Sequence, residues 1–522
     1  MSRLARIGID VGGTNTDAVA VEGDKILASA KRPTTPLVAD GIRDALVAIL
    51  DDAGLEAGEV AAVMVGTTQF VNAVVQASGL ARTAVLRLGL PATACLPPLV
   101  DWPLALRRAL GDHVHLCRGG NEYDGSAIAP LDRATIARIG DAIAADGVES
   151  IAITSVFSPM SSELELEAAA ILAEHAPQVS VTLSADIGRI GLLERENATV
   201  MNACLRSLAA DTVSGFEEAL TAAGIGGRLF ISQNDGTLMS ADYARRFPVA
   251  TFASGPTNSM RGAAFLSGLE DAAVVDIGGT TSDIGVLNRC FPRQAPLGAE
   301  IGGVRTNFRM PDVLSLGIGG GSIVRLEGEH IAVGPESVGY ELTTRSLAFG
   351  GTTLTATDLA VAAGWAELGD PDLLSGLGRS VVRNGLLLVE RALAEAVDRM
   401  KTSPGEVPVV VVGGGGLLLE QRLPGASRLV RPEHGEVANA VGAAMAQIGG
   451  EVDRIVHADE AAGAKAIGEV VEEATERAVA AGAEPGTVEV VEIDKVPISY
   501  LPGNAVRVRA KAVGNLRLEM AT

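Results

Sequence analysis

Residues Asp10–Asp17 read DVGGTNTD, and residues Asp276–Asp283 read DIGGTTSD. Five of the eight positions are identical, and each copy begins and ends on aspartate around a central Gly-Gly-Thr. Short apolar runs stand on both sides: Ile7 and Ile9 before the first copy and Ala18 to Val21 after it, Ala272 to Val275 before the second and Ile284 to Leu287 after it. Short β-branched runs of this kind read as strands. Each phrase is therefore the tip of a strand–turn–strand hairpin. The dinucleotide and P-loop phosphate motifs join a strand to a helix, so neither applies. The chemistry still suits phosphate, because paired glycines let the backbone approach an anion and aim N–H groups at it. Gly12, Gly13, Thr14, Asn15 and Thr16 form one such cradle, and Gly278, Gly279, Thr280 and Thr281 the other. A leading aspartate repels phosphate. Asp10 and Asp276 make sense if they hold a divalent cation or position a reacting water. One Gly-Gly turn is commonplace; the repetition is what carries the reading.

The bulk properties narrow the field. The chain has 522 residues, 47% of them hydrophobic and only 3% aromatic, with a formal net charge of −22. Such a charge argues against nucleic acid or an anionic membrane as partner. The four cysteines, Cys95, Cys117, Cys204 and Cys290, form no CxxC pair, which reads as free thiols in a reducing cytoplasm. No signal peptide and no apolar run of membrane-spanning length is evident.

Other stretches carry possible chemistry. GTTQFVNAVVQ, Gly66 to Gln76, runs a strand into Gly-Thr-Thr and a helix. Thr67, Thr68 and Asn72 there could recognise an anion or amide, although an ordinary N-cap threonine pair reads equally well. In PDVLSLGIGGGSIVRL, residues Gly319, Gly320, Gly321 and Ser322 either contact a further group of the substrate or pack closely on the cleft. His113 and His115 would share one face of a strand, but no third metal ligand accompanies them. FPVATFASGPTNS, from Phe247 to Ser259, reads as a glycine-turn loop lining a pocket.

Two like hairpins resemble those that face each other across the cleft of the actin/hexokinase/chaperone ATPase superfamily. That superfamily has a late adenosine loop, matched here by Gly413, Gly414, Gly415 and Gly416 after the apolar strand Val409 to Val412. It also has two small-residue helices crossing at the hinge, for which Glu194–Leu208 and Val437–Gln447 stand in order. The implied fold is α/β, two-lobed and actin/hexokinase-like (ribonuclease H-like), with a small appended C-terminal α+β domain. The expected divisions are 1–190 for the first lobe with an inserted α/β unit, 191–450 for the second, and 451–522 for the appended domain.

Taken together, DVGGTNTD, GTTQFVNAVVQ, ERENATVMNACL, SQNDGTLMS, FPVATFASGPT, DIGGTTSDIG, PDVLSLGIGGGSI and VGPESVGY resemble the hydantoinase/oxoprolinase family, A (alpha) subunit. The chain departs from it at Asn15, at Asp235-Gly236, around Ser254 to Asn258, which lacks a customary glycine, and at Val338 to Leu342. The resemblance implies ATP- and Mg2+-dependent opening of a lactam, hydantoin or similar cyclic amide by phosphorylation of the amide oxygen. It also implies a B-type partner subunit, and a homo-oligomer is compatible with it. In that scheme Asp10 holds Mg2+, Asp276 orients the nucleophile or shares the metal, and Asp17 and Asp283 brace their hairpins. A sugar-kinase-type enzyme or a switch ATPase would share the hairpins. A sugar kinase would not account for GTTQFVNA or GIGGGS, and the 72 residues beyond position 450 are too few for a chaperone's peptide-binding domain.

Overall fold

The strand Ala5–Val11 is buried at every position but Arg6, the pattern of a strand covered on both faces. It pairs antiparallel with Asn15–Glu22 and parallel with Val60–Thr67. The antiparallel register sets Asp10 opposite Asp17. In the second copy, Ala272–Ile277 pairs with Ser282–Asn288 and sets Asp276 opposite Asp283. Both phrases are hairpins with their end carboxylates paired across the ladder. The structure, a computed structural model, describes residues 4–12, 15–33, 38–187, 190–295, 298–327, 330–457, 460–498 and 505–518.

Among these residues the two hairpins belong to two different sheets of an α/β fold. The first sheet has nine strands in the order Glu489–Pro497, Ala505–Gly514, Gln447–His457, Thr237–Ser240, Arg228–Ser232, Val60–Thr67, Ala5–Val11, Asn15–Glu22, Lys25–Pro33. The second is centred on Ala272–Ile277, between Ser282–Asn288 and the parallel strand Val407–Val412. A separate four-stranded parallel sheet, with Thr83–Leu90 and Ser150–Ser155 at its centre, forms the inserted α/β unit. No helix among the described residues is long and apolar enough to cross a membrane.

Three organisational expectations change. The boundary at 451 falls inside the strand Gln447–His457, and the two later strands extend the first lobe's sheet. The last segment is thus continuous with that sheet rather than a separate domain. The helix Glu460–Ala480 packs on it so closely that a Cβ at Gly450 would stand 2.2 Å from the Ala474 carbonyl oxygen. The second change concerns the boundary at 190. The strands Arg228–Ser232 and Thr237–Ser240 lie beyond it, yet they also belong to the first sheet.

The third change concerns the crossing helices. Ala438–Met445 is one of them, as expected. Its partner is Ser254–Ser267, part of which reads as a loop in the sequence, and not the helix that begins at Leu192. A Cβ at Gly262 would lie 1.8 Å from the Ala438 carbonyl oxygen, and one at Gly442 would lie 1.9 Å from that of Asn258. Backbone meets backbone at this crossing. A Cβ at Gly8, on the first strand, would lie 2.1 Å from the Ala440 carbonyl oxygen, so the same helix also presses on the first hairpin.

The helix Leu192–Ala222 instead anchors the inserted unit. Glu196 and Arg87 are both fully buried and form a bidentate pair, Nε to Oε2 at 2.7 Å and Nη2 to Oε1 at 2.5 Å. Asn197 accepts from Trp102 Nε1 at 2.7 Å and donates to the Arg305 carbonyl at 2.9 Å. Removing one partner of a buried pair leaves an uncompensated charge. Glu196→Ala is therefore expected to destabilise the protein by about 3–5 kcal/mol, read as a lower urea midpoint. Loss of less than about 1 kcal/mol would show the pair to be solvated and weak.

Candidate active site

The two tips are closed by like hydrogen bonds. Gly12 N–H donates to the Asn15 carbonyl at 3.0 Å, and Gly278 N–H donates to the Thr281 carbonyl at 2.8 Å. Gly13 and Thr14 lie outside the described residues. Gly279, Thr280 and Thr281 are exposed, Gly278 and Asn15 are half-buried, and Thr16 is fully buried in its strand.

The carboxylates stand below the tips. Asp10 Oδ2 accepts from Asn439 Nδ2 at 2.9 Å, and the same amide reaches Asp17 Oδ2 at 3.3 Å. Lys31 Nζ lies 3.2 Å from Asp17 Oδ1. Asp10 Oδ1 is buried and makes no hydrogen bond among the described residues. Burial, helped by the Asp17 charge, pushes the Asp10 carboxyl up to about 6. Burial also pushes Asp276 up to about 7, against a hydrogen bond from Ser259, and the charges of Asp283, Asp10 and Asp17 add to the rise. The second hairpin's aspartate thus feels the first hairpin's carboxylates across the cleft. Asp17 keeps to Lys31 and Asn439, while Asp283 accepts from Ser315.

Gly413 and Gly415 pack against the base of the second hairpin. The strand Val407–Val412 sets Val412 beside Asp276. Gly413 follows with φ +83, and a Cβ there would lie 2.3 Å from Asp276 Oδ1, so only glycine fits. Gly415 N–H donates to the Ile277 carbonyl at 2.7 Å, Gly416 N–H donates to Gly413, and Gly414 is exposed to open space.

The GIGGGS loop differs from the expectation of substrate contact. Gly320 and Gly321 N–H donate to the Gly278 and Gly279 carbonyls at 3.0 and 2.7 Å. Gly319 N–H donates to Ser322 Oγ at 2.8 Å, and Ser322 N–H donates back to Gly319. Two of the four amides hold the second hairpin and the other two close the loop on itself, so this loop is a brace. Thr67 is buried, and its carbonyl accepts from Ser254 Oγ at 3.0 Å; Thr68 is half-buried. Asn72 is exposed and bonds Thr68 Oγ1 at 3.3 Å. Gly66 abuts the acidic site, since a Cβ there would stand 2.6 Å from Asp10 Oδ1. His113 lies 3.9 Å from Asp146. Among the described residues no three His, Cys, Asp or Glu side chains gather as a metal cage.

Sequence reasoning missed Asn439, Asn258 and Ser259. Asn439 was visible as a polar position in a helix of small residues. Asn258 and Ser259 were hidden by reading their helix as a loop.

Sequence models of two regions of one family match this chain: the hydantoinase/oxoprolinase N-terminal region at residues 6–176 and hydantoinase/oxoprolinase at residues 195–380. The chain belongs to the hydantoinase/oxoprolinase family. It is 28% identical to the caprolactamase subunit alpha of Pseudomonas jessenii over 71% of this chain and 56% of that one. It is 27% identical to the acetophenone carboxylase gamma subunit of Aromatoleum aromaticum over 76% of this chain and 56% of the relative. The chain thus spans little more than half the length of these curated relatives. The crystal structure of the ATP-dependent caprolactamase from P. jessenii has the same fold, with a TM-score of 0.78, 19% identity, and 98% and 88% of the two chains covered.

The two acidic sites in this family member suit a hydrated divalent cation. Asp10 Oδ1 is a buried acceptor approached, among the described residues, only by the Asn258 amide, and burial first, then neighbouring carboxylates, raise both aspartates. A Mg2+ held by one or two carboxylates, its own waters and a ligand's phosphates fits this donor set better than a zinc site would.

Without a cation, the two carboxyls take up protons in the folded state that the unfolded chain, with its ordinary value near 3.8, does not bind. Their penalty is absent below about pH 4, grows as pH rises through 6 and 7, and is complete above that. The contribution of Asp10 and Asp276 to the ligand-free protein's stability should therefore fall between about pH 4 and 7 and level off above. The check is to compare denaturation midpoints of wild type and Asp10→Asn/Asp276→Asn across that range. Parallel curves would show that these carboxyls are not perturbed.

Proposed function

We propose that this chain is the nucleotide-binding subunit of an ATP-dependent enzyme that opens a cyclic amide. The observation that supports it most is the placing of Asp10 and Asp276, from two like hairpins, close enough for the Asp10 charge to add to the burial that raises Asp276. The first tip, Gly12, Gly13, Thr14, Asn15 and Thr16, cradles the β- and γ-phosphates with the backbone N–H groups and hydroxyls that its own turn leaves available. Gly278, Gly279, Thr280 and Thr281 hold the phosphoryl being transferred. Gly413 to Gly416 receive the adenosine end. Asp10 anchors the cation through water, and Asp276 shares it or orients the nucleophile. Mg2+ bound there would supply charge neutralisation at the phosphates.

An amide carbon is a poor electrophile. Attack of the amide oxygen on the γ-phosphorus, with ADP leaving, gives an imidate phosphate. Water then adds to that carbon, the amine leaves with the C–N electron pair and takes a proton, and the acyl phosphate that remains is hydrolysed by a second water to carboxylate and phosphate. Thr67, Thr68 and Asn72, beside the cleft, are the residues of this chain assigned to the ring. A B-type partner subunit completes the hydrolysis, in keeping with the relatives that are named as subunits. Similarity to a carboxylase subunit favours one second reading, in which the phosphorylated oxygen belongs to a ketone.

The test is phosphate release from ATP and Mg2+ against hydantoins, lactams and 5-oxoproline, with and without a B-type subunit. A parallel arm uses ketones with bicarbonate. Stimulation by one ring compound is expected. Stimulation by ketones alone would move the assignment to carboxylation, and none by either would overturn both. Protons compete with the cation for the two carboxylates, so stabilisation by Mg2+ and ADP is expected to be larger at pH 8 than at pH 5.5. Equal melting shifts at both values would remove Asp10 and Asp276 from the cation site.

A further inference from the structure

Asn258 is fully buried in the helix Ser254–Ser267 with its amide turned toward Asp10, yet neither Nδ2 nor Oδ1 completes a well-formed hydrogen bond among the described residues. Asp10 Oδ1 is unsatisfied nearby as well. Both surround one point: a Cβ built on Gly66 would stand 2.4 Å from Asn258 Nδ2 and 2.6 Å from Asp10 Oδ1. Buried polar atoms without partners are costly, and a cluster of them facing one spot marks a place that something polar completes.

The next residue acts on the other lobe. Ser259 hydrogen-bonds Asp276. One dipeptide therefore touches the leading aspartate of both hairpins. It cannot drift, because the Asn258 backbone carbonyl is packed against Gly442 of the crossing helix, and that helix carries Asn439 onto Asp10 and Asp17.

We propose that Asn258 is a positioning residue for the cleft's divalent cation, directing its amide at Asp10 and accepting a hydrogen bond from a cation-bound water through Oδ1. It rests on the reading of Asp10 as that cation's anchor. A carboxamide suits the place because it adds an oxygen acceptor without adding a charge to Asp10, Asp17 and Asp276. The adjacent Ser259 holds Asp276 in register with it. The cation's position is then set by the crossing helices rather than by either hairpin alone.

The experiment measures Mn2+ binding to the full chain with ADP by electron paramagnetic resonance, with fluorescent-ADP binding in EDTA as the metal-free control. Asn258→Ala is expected to weaken Mn2+ by about tenfold or more, the usual effect of losing a partner just outside the metal's ligands. Its metal-free ADP affinity and melting temperature should stay near wild type. Asn258→Asp, which keeps an acceptor oxygen, should bind Mn2+ within about threefold of wild type at pH 8. Wild-type Mn2+ affinity in Asn258→Ala would overturn the role of Asn258 and leave the cation site standing. Absence of Mn2+ binding in the wild-type chain would overturn both. Should Asn258→Ala fail to fold, Asn258→Ser supplies the same comparison with a smaller cavity.

Discussion

Asp10→Asn is expected to lower Mg2+-dependent ATP turnover by about three orders of magnitude, the scale of removing a main electrostatic stabiliser. The same change should make the ligand-free protein more stable. Asp10 is ionised at pH 7.5 in both folded and unfolded chains, because its folded value is about 6. Its burial cost is then fully present, and the rise from 3.8 converts to about 3 kcal/mol at most. Asparagine removes that charge while keeping an oxygen for Asn439. Higher melting temperature, lost turnover and a lost Mg2+-dependent shift form one combined result that misfolding cannot imitate. Near-normal turnover would sink the assignment of Asp10. Lost turnover with a lower melting temperature would mean that Asp10 is a structural residue.

Gly262→Ala should be among the most damaging single-methyl additions in the chain, at about 3–5 kcal/mol. The added carbon would lie 1.8 Å from a carbonyl oxygen and 2.6 Å from the carbon of the same peptide, Ala438. Neither is a side chain that can rotate away. Overpacking a core is ordinarily relieved by rotamer changes and costs less. Here the crossing helices must separate, moving Asn439 from Asp10 and Asn258 from Gly66. Loss of nucleotide-dependent stabilisation should therefore accompany the fall in the unfolding midpoint. Gly468 is the control, since an alanine there meets open space. Equal stability of the two variants would show that the crossing is not a close backbone contact.

Much of this was legible in the chain itself. A repeated eight-residue phrase between apolar strands fixes two hairpins, because the period of a strand and the glycine demand of a tight tip are local properties. The four glycines after Val412, the inserted α/β unit and the small-residue helix at Ala438–Met445 are local in the same sense. They could be read without knowing what they touch.

What packs against what was decided only by the tertiary structure. The phrase FASGPTNS has too many small and polar residues to advertise a helix. It becomes one because Gly262 and Gly442 let two backbones meet, and that contact joins residues far apart in sequence. The glycines at 319–321 look like anion binders until the second hairpin is seen to consume the amides of Gly320 and Gly321, and Ser322 that of Gly319. The last 72 residues change composition like a separate domain, yet strand pairing makes them part of the first sheet. Sequence thus determined which residues could bind phosphate and metal. Long-range packing determined which of their hydrogen bonds were already spent, and so which atoms, Asp10 Oδ1 and the Asn258 amide among them, were left without a partner.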